Sequence, residues 1–176
     1  MQHCESVKGE SFMGKLTRLI YASRANFRPV EASQGVEPTV GRILFQSRRN
    51  NSRHGISGVL YFGDSHFFQV LEGEPQAVNE TYRRIGADSR HRDLTVLSQL
   101  PVKERLFSDW SMKYVPAENS VKAFLAKRDY LRFAPLRFSK SEAEELARLF
   151  HRQQAEGEGS GPLPARRFSL RRLLPF

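Results

Sequence analysis

Sulfur chemistry is nearly missing from this 176-residue chain, which has a single cysteine, Cys4, in a polar opening segment. One thiol excludes a disulfide framework within the chain. The opening also lacks the apolar core of a secretory signal and the Arg- and Ser-rich amphipathic pattern of a transit peptide. Long apolar runs are missing as well: no stretch approaches the ~18–20 residues needed to cross a bilayer. A soluble chain with no transmembrane segment is therefore expected, located by default in a reducing cytoplasm. No internal repeat is visible.

What the chain has in excess is base. Lys and Arg number 28 against 19 Asp and Glu, a formal net charge of +9. Clustered bases would point to phosphate backbones, whose neutralisation releases counterions. Here they are scattered. Arg48/Arg49 and Arg83/Arg84 suit solvated helix faces, and Arg166, Arg167, Arg171 and Arg172 gather near the C-terminal end. Nucleic-acid binding is not expected. The 39% hydrophobic content suits one domain with appendages. The aromatics concentrate before Phe138, whereas Gly157, Gly159, Ser160, Gly161, Pro162 and Pro164 crowd the end. The expected division is a flexible or non-native segment 1–14, a core 15–116, a helical cap 117–155, and a Gly/Pro linker with a basic tail 156–176.

Hydrophobic periodicity gives the elements of the core. Leu16 to Ala22 suits a strand, followed by a loop from Ser23 to Gly35. Pro38 suits the first turn of a helix in which Val40, Ile43, Leu44, Ser47 and Asn51 share a stripe. Ser57–Phe62 and Ser65–Leu71 read as a hairpin joined by Gly63-Asp64 in a Gly-X turn. Both hairpin strands are almost continuously apolar, so the sheet needs cover on both faces. Glu74-Pro75 opens a helix with Val78, Tyr82 and Ile85 inward, closing near Asp88. Leu94–Leu97 and Ser111–Val115 supply two more strands. The order β-α-β-β-α-β-β predicts an α+β, ferredoxin-like core. Val121, Phe124 and Leu125 suggest one further helix, and the capping box Ser139–Glu142 starts another carrying Ala143, Leu146, Ala147 and Phe150. These two helices are expected to cover the opposite sheet face.

Several polar residues stand where this pattern calls for core. Ser47, Asn50, Asn51 and Gln69 lie among apolar neighbours, Tyr21 sits on the first strand, and Arg90-His91 stands at a helix end. Buried polar groups need partners, and this set suits a polar planar ligand. Plainer roles exist for each. Asn50 and Asn51 can end a helix, Gln69 can satisfy a loop carbonyl, and Tyr21 can be a core aromatic with its hydroxyl bonded.

The segment Leu16-Thr17-Arg18-Leu19-Ile20-Tyr21-Ala22-Ser23-Arg24 resembles the opening strand of BLUF domains, the blue-light sensors using FAD. Matching motifs follow in order: Arg49-Asn50-Asn51, Gly55 to Leu60, Phe67 to Gly73, Asp88 to His91, Pro101, Arg105 to Phe107, and Trp110 to Met112. Ordered motifs across the whole core are far more specific than one short pattern. The departure is a longer segment from Ala25 to Glu37.

The resemblance implies a flavin between the two core helices, FAD by analogy, with FMN and riboflavin as alternatives. Asn51 and Gln69 would grip the polar edge of the ring, Ser47 and Asn50 would add hydrogen bonds, and Ile43, Leu60 and Phe67 would wall it. Arg90 and His91 would sit beside the ring or the phosphates, supplying positive charge or an N–H donor. Tyr21 would give an electron and a proton to the light-excited flavin, and Gln69 would relay and then rotate or tautomerise. Trp110 and Met112 would pass the change outward. The function so implied is a stand-alone blue-light photoreceptor that signals through its last strand and C-terminal helices to an unidentified downstream protein or a homo-oligomer. An enzyme is not expected: too few residues follow Pro116 for a cyclase or phosphodiesterase domain, and no nucleophile motif or metal spacing is visible. The alternative is a light-insensitive module whose basic segment Ala165–Leu174 binds an anionic partner or a membrane surface.

Overall fold

A computed structural model describes residues 16–30 and 36–158, with side chains to Gln153. The expectations for segment 1–14 and for the linker and basic tail beyond Glu158 lie outside the described residues, as do residues 31–35 of the first loop.

The elements run β1 (Leu16–Ala25), α1 (Pro38–Arg53), β2 (Ser57–Gly63), β3 (His66–Gly73), α2 (Pro75–Gly86), β4 (His91–Val102), β5 (Lys113–Tyr114), α3 (Glu118–Ala126) and α4 (Lys140–Glu158), with a 3-10 turn at Pro135–Arg137. The sheet order is β4-β1-β3-β2-β5. This is the α+β, ferredoxin-like arrangement that the strand and helix order predicts. β3 lies antiparallel between β1 and β2, so α1 must cross over it, and α2 likewise crosses over β1. Right-handed crossovers put both helices on one face, above the central pair β1 and β3.

Strand alternation then sorts the side chains. Leu19, Tyr21, Leu60, Phe67 and Leu71 pack toward α1 and α2 with Val40, Ile43, Leu44 and Val78. Ile20, Val59, Tyr61, Phe68 and Val70 face the other way, against Val121, Phe124, Phe133, Phe138, Leu146 and Phe150. Both helix starts are held by acidic N-caps with Pro in the first turn: Glu37 accepts from the Val40 N–H and Glu74 from the Ala77 N–H. The expected capping box forms as read. The Ser139 N–H and hydroxyl donate to the Glu142 carboxylate, and the Glu142 N–H donates back to Ser139 Oγ at 3.3 Å.

Four details depart from the sequence expectations. The hairpin turn is Asp64-Ser65, both at positive φ (45° and 59°), as a type I′ turn requires, and Gly63 stays in β2 paired with His66. A Cβ at Gly63 would lie 2.9 Å from the Tyr61 ring, so the glycine serves close packing and not the turn. β1 continues to Ala25 through what reads as loop. β4 spans twelve residues where four were expected, and β5 only two where five were expected. α2 ends at Gly86, so Arg90 and His91 belong to the turn and to the first position of β4.

Buried charge ties the second face to the sheet. Arg18 Nε donates to Glu72 Oε1 at 2.7 Å, and Arg18 Nη1 lies 3.5 Å from Glu144 of α4. Glu72, fully buried, also accepts the N–H groups of Leu106 and Phe107, while Ser98 Oγ donates to Glu144 at 2.7 Å. One guanidinium between two carboxylates is costly to desolvate, and it persists because nearly every lone pair is met.

Candidate functional site

Register places the central pair. Tyr21 and Gln69 are direct cross-strand partners of β1 and β3, both buried beneath α1 and α2. The Tyr21 hydroxyl donates to Gln69 Oε1. Burial pushes the Tyr21 pKa well above its ordinary value, so the phenol keeps its proton and acts as donor. Its ring meets Tyr82 of α2 edge-on at 5.5 Å. With Oε1 engaged, Gln69 Nε2 points to the Met112 sulfur at 3.4 Å, a weak acceptor, and its second N–H has no partner among the described residues.

Above this pair lies a cavity between α1 and α2. Ile43, Gln46, Ser47, Asn50 and Asn51 line it from α1, and Thr81, Arg84 and Ile85 from α2. Gln69, Asp88, Arg90 and His91 complete the wall. The α1 set is spaced i, i+3, i+4, i+7 and i+8, one helical stripe. Asn51 is buried, and its Nδ2 donates to the Ser111 carbonyl at 2.8 Å. Its Oδ1 has no partner among the described residues. Arg90 closes the mouth, donating to Asp88 through Nε at 2.9 Å and to Gln46 Oε1 through Nη2 at 2.6 Å. The hydrogen bond from Arg90 holds the Asp88 carboxyl below its usual pKa.

His91 is buried, with Nδ1 2.9 Å from Ser23 Oγ and its ring 4.4 Å from that of Phe67. Burial lowers its pKa to about 4. Near neutral pH it is an uncharged imidazole, so of the two contributions expected of Arg90 and His91, positive charge or an N–H donor, His91 can offer the N–H. Arg90 spends its charge on Asp88.

Of the residues singled out by sequence, the structure gathers Ile43, Ser47, Asn50, Asn51, Gln69, Arg90 and His91 on the cavity, with Tyr21 and Met112 directly behind Gln69. Leu60 and Phe67 lie in the core beneath. Trp110 does not reach the cavity. It is half-buried in the loop before β5, with the Lys113 ammonium 3.7 Å over its ring and its carbonyl accepting the Gly58 N–H. Gln46, Thr81, Arg84, Ile85 and Asp88 are additional wall residues. Gln46 continues the Ile43–Asn50 stripe, and Thr81, Arg84, Ile85 and Asp88 are spaced i, i+3, i+4 and i+7, so helical periodicity could have found them.

The unpartnered groups at this cavity define what it can take. Gln69 Nε2 is a donor and Asn51 Oδ1 an acceptor, and a planar heterocycle whose edge alternates carbonyls with a ring N–H meets both.

Comparison with known proteins agrees. The family described as BLUF, sensors of blue-light using FAD, matches residues 16–113. Subunit beta of the photoactivated adenylate cyclase of Euglena longa is 31% identical over 105 residues, 60% of this chain and 12% of that protein. The blue light- and temperature-regulated antirepressor BluF of Escherichia coli (strain K12) is 38% identical over 82 residues, 47% of this chain and 19% of that protein. The chain thus spans a small part of these relatives. Among solved structures, the ground state of BlsA superposes with a TM-score of 0.69 at 32% identity, covering 77% of this chain and 87% of that one. The dark state of BlrB, a BLUF protein, gives 0.61 at 30% identity over 81% of this chain and 99% of that one. BLUF domains use a flavin as chromophore, and the donor and acceptor set at the cavity fits its ring edge. The chain belongs to the BLUF family of blue-light sensors using FAD.

Proposed function

We propose that this protein is a blue-light photoreceptor, not an enzyme, whose switch is the Tyr21–Gln69 pair and whose output leaves through Met112 and the C-terminal helices. The observation that carries the reading is the buried hydrogen bond from the Tyr21 hydroxyl to Gln69 Oε1, made beneath a cavity into which Gln69 keeps an unpartnered N–H. A flavin bound there supplies blue-light absorption and an excited state that accepts an electron. Tyr21, held neutral by burial, is the nearby phenol with an electron and a proton to give. Gln69 is the amide that rearranges, because its two ends are nearly isosteric and opposite in hydrogen-bonding sense. Reversal of the amide would exchange acceptor for donor toward Tyr21 and donor for acceptor toward Met112.

Asn51, Ser47 and Asn50 would orient the ring from α1, Ile43 and Ile85 would flank it, and Leu60 and Phe67 would back the floor. The cleft holds about 100 Å³, below the ~300 Å³ at which small-molecule pockets begin. A tricyclic ring would therefore need more room between α1 and α2, beside the hydrogen bond from Arg90 to Gln46. FAD is the expected form.

Met112 would carry the change into the loop between β4 and β5, whose Leu106 and Phe107 N–H groups donate to Glu72, and through Glu72, Arg18 and Glu144 to α4. The recipient would be a downstream protein or a second copy of the chain, and Trp110 would act from the outer end of the same loop. No helix among the described residues is long and apolar enough to cross a membrane.

The test is absorption of the purified, flavin-loaded protein in darkness and directly after blue light. A reversible red shift in the native protein, absent from Tyr21→Phe with flavin retained, is expected. A chain that takes up no flavin would refute the reading.

A further inference from the structure

Ser23 is wholly buried, and its hydroxyl meets one group only among the described residues, the Nδ1 of His91 at 2.9 Å. A buried O–H must have an acceptor, so its hydrogen is directed to Nδ1. An imidazole whose Nδ1 accepts carries its ring proton on Nε2. Burial keeps the ring uncharged near neutral pH, so this is its sole ring proton. Nε2 has no partner among the described residues, and His91 lines the cavity. We propose that Ser23 is a positioning residue that fixes His91 as the Nε2–H tautomer, so that His91 presents a permanent N–H donor to the chromophore and selects a ring carbonyl over a ring N–H. The proposal rests on the flavin reading and extends it to a residue outside the Tyr21–Gln69 pair.

Backbone geometry supports the pairing independently. Between Ala22↔Thr95 and Arg24↔Arg92, the single residue Ser23 of β1 stands opposite two residues of β4, Asp93 and Leu94. This is a β-bulge, and Asp93 sits in it at φ 55°. Bulges re-aim neighbouring side chains and concentrate beside functional sites. Phe67, 4.4 Å from the imidazole, limits rotation of the ring. A serine hydroxyl reaching Nδ1 across such a bulge sets the tautomer without adding charge.

The experiment is nitrogen NMR of the protein labelled with ¹⁵N histidine, loaded with FAD and also flavin-free, in native, Ser23→Ala and Ser23→Thr forms. His91 in the native protein should show an unprotonated Nδ1 and a protonated Nε2. Ser23→Ala should lose the single tautomer and bind FAD about 3- to 10-fold more weakly, the effect of one neutral hydrogen bond. Ser23→Thr, which keeps the hydroxyl, should restore both. A protonated Nδ1 in the native protein overturns the proposal, even if Ser23→Ala does not fold. So does an unchanged tautomer in Ser23→Ala. Because the tautomer is also read without flavin, failure to bind FAD would refute the photoreceptor reading separately.

Discussion

The two faces of one sheet are built on opposite principles. The face under α3 and α4 is sealed by interlocking aromatics: Tyr61 meets Phe133 at 4.9 Å and Phe150 at 5.5 Å, and Phe68 meets Phe150 at 5.9 Å. Its buried charged cluster is closed, with Arg18 between Glu72 and Glu144. The face under α1 and α2 keeps amides, an imidazole and a phenol whose hydrogen-bonding capacity is only partly used. A closed network gives a rigid backing, and an incomplete one gives a place for a ligand and for rearrangement. The strands alternate between the two, so one residue step along β3, from Gln69 to Val70, passes from the proposed switch to the backing.

Substitutions should break the faces differently. Arg18→Met strands two buried carboxylates and should cost about 3–5 kcal/mol of stability by urea denaturation. Phe150→Ala should cost a similar amount, about 3–5 kcal/mol, through lost transfer energy and a cavity. If both variants fold, flavin absorption should survive, because neither residue touches the cavity. The His91 effect is next. Its folded pKa of about 4 lies below the ordinary 6.5, so the unfolded chain binds the proton first. Stability should be fully present above pH ~6.5 and fall by about 2–3 kcal/mol toward pH ~4, a slope that His91→Asn removes in denaturation series across that range. Smallest in stability is Asn51→Ala, about 1 kcal/mol. Its flavin dissociation constant, measured by fluorescence titration, should nonetheless rise about tenfold or more. Equal stability losses on both faces would erase the contrast.

Legibility in the sequence follows the same division. Apolar periodicity located β2, β3, α1, α2 and α4, and the two-sided apolar character of the hairpin called for the C-terminal cover. What it missed was polar by necessity. Ser23-Arg24 reads as loop, yet Ser23 is a buried strand residue facing the site. β4 is an edge strand with exposed Arg92, Asp93, Thr95, Val96 and Gln99, and its register slips twice against β1, so no period of two survives. The Asp64-Ser65 turn was hidden by the neighbouring glycine. The candidate site residues from Tyr21 to His91 were named through the family resemblance, whereas Gln46 and Thr81 were not named, although helical spacing places them on the stripes of their neighbours. The Arg18–Glu144 contact joins positions too far apart for any local pattern to reveal.

The most direct test of the central claim is the light-minus-dark absorption spectrum of the flavin-loaded Gln69→Leu variant beside the native protein. Leucine fills the space of the amide and makes no hydrogen bond. The account predicts a yellow protein with the native shift abolished. A full, reversible red shift in Gln69→Leu would show that the switch lies elsewhere.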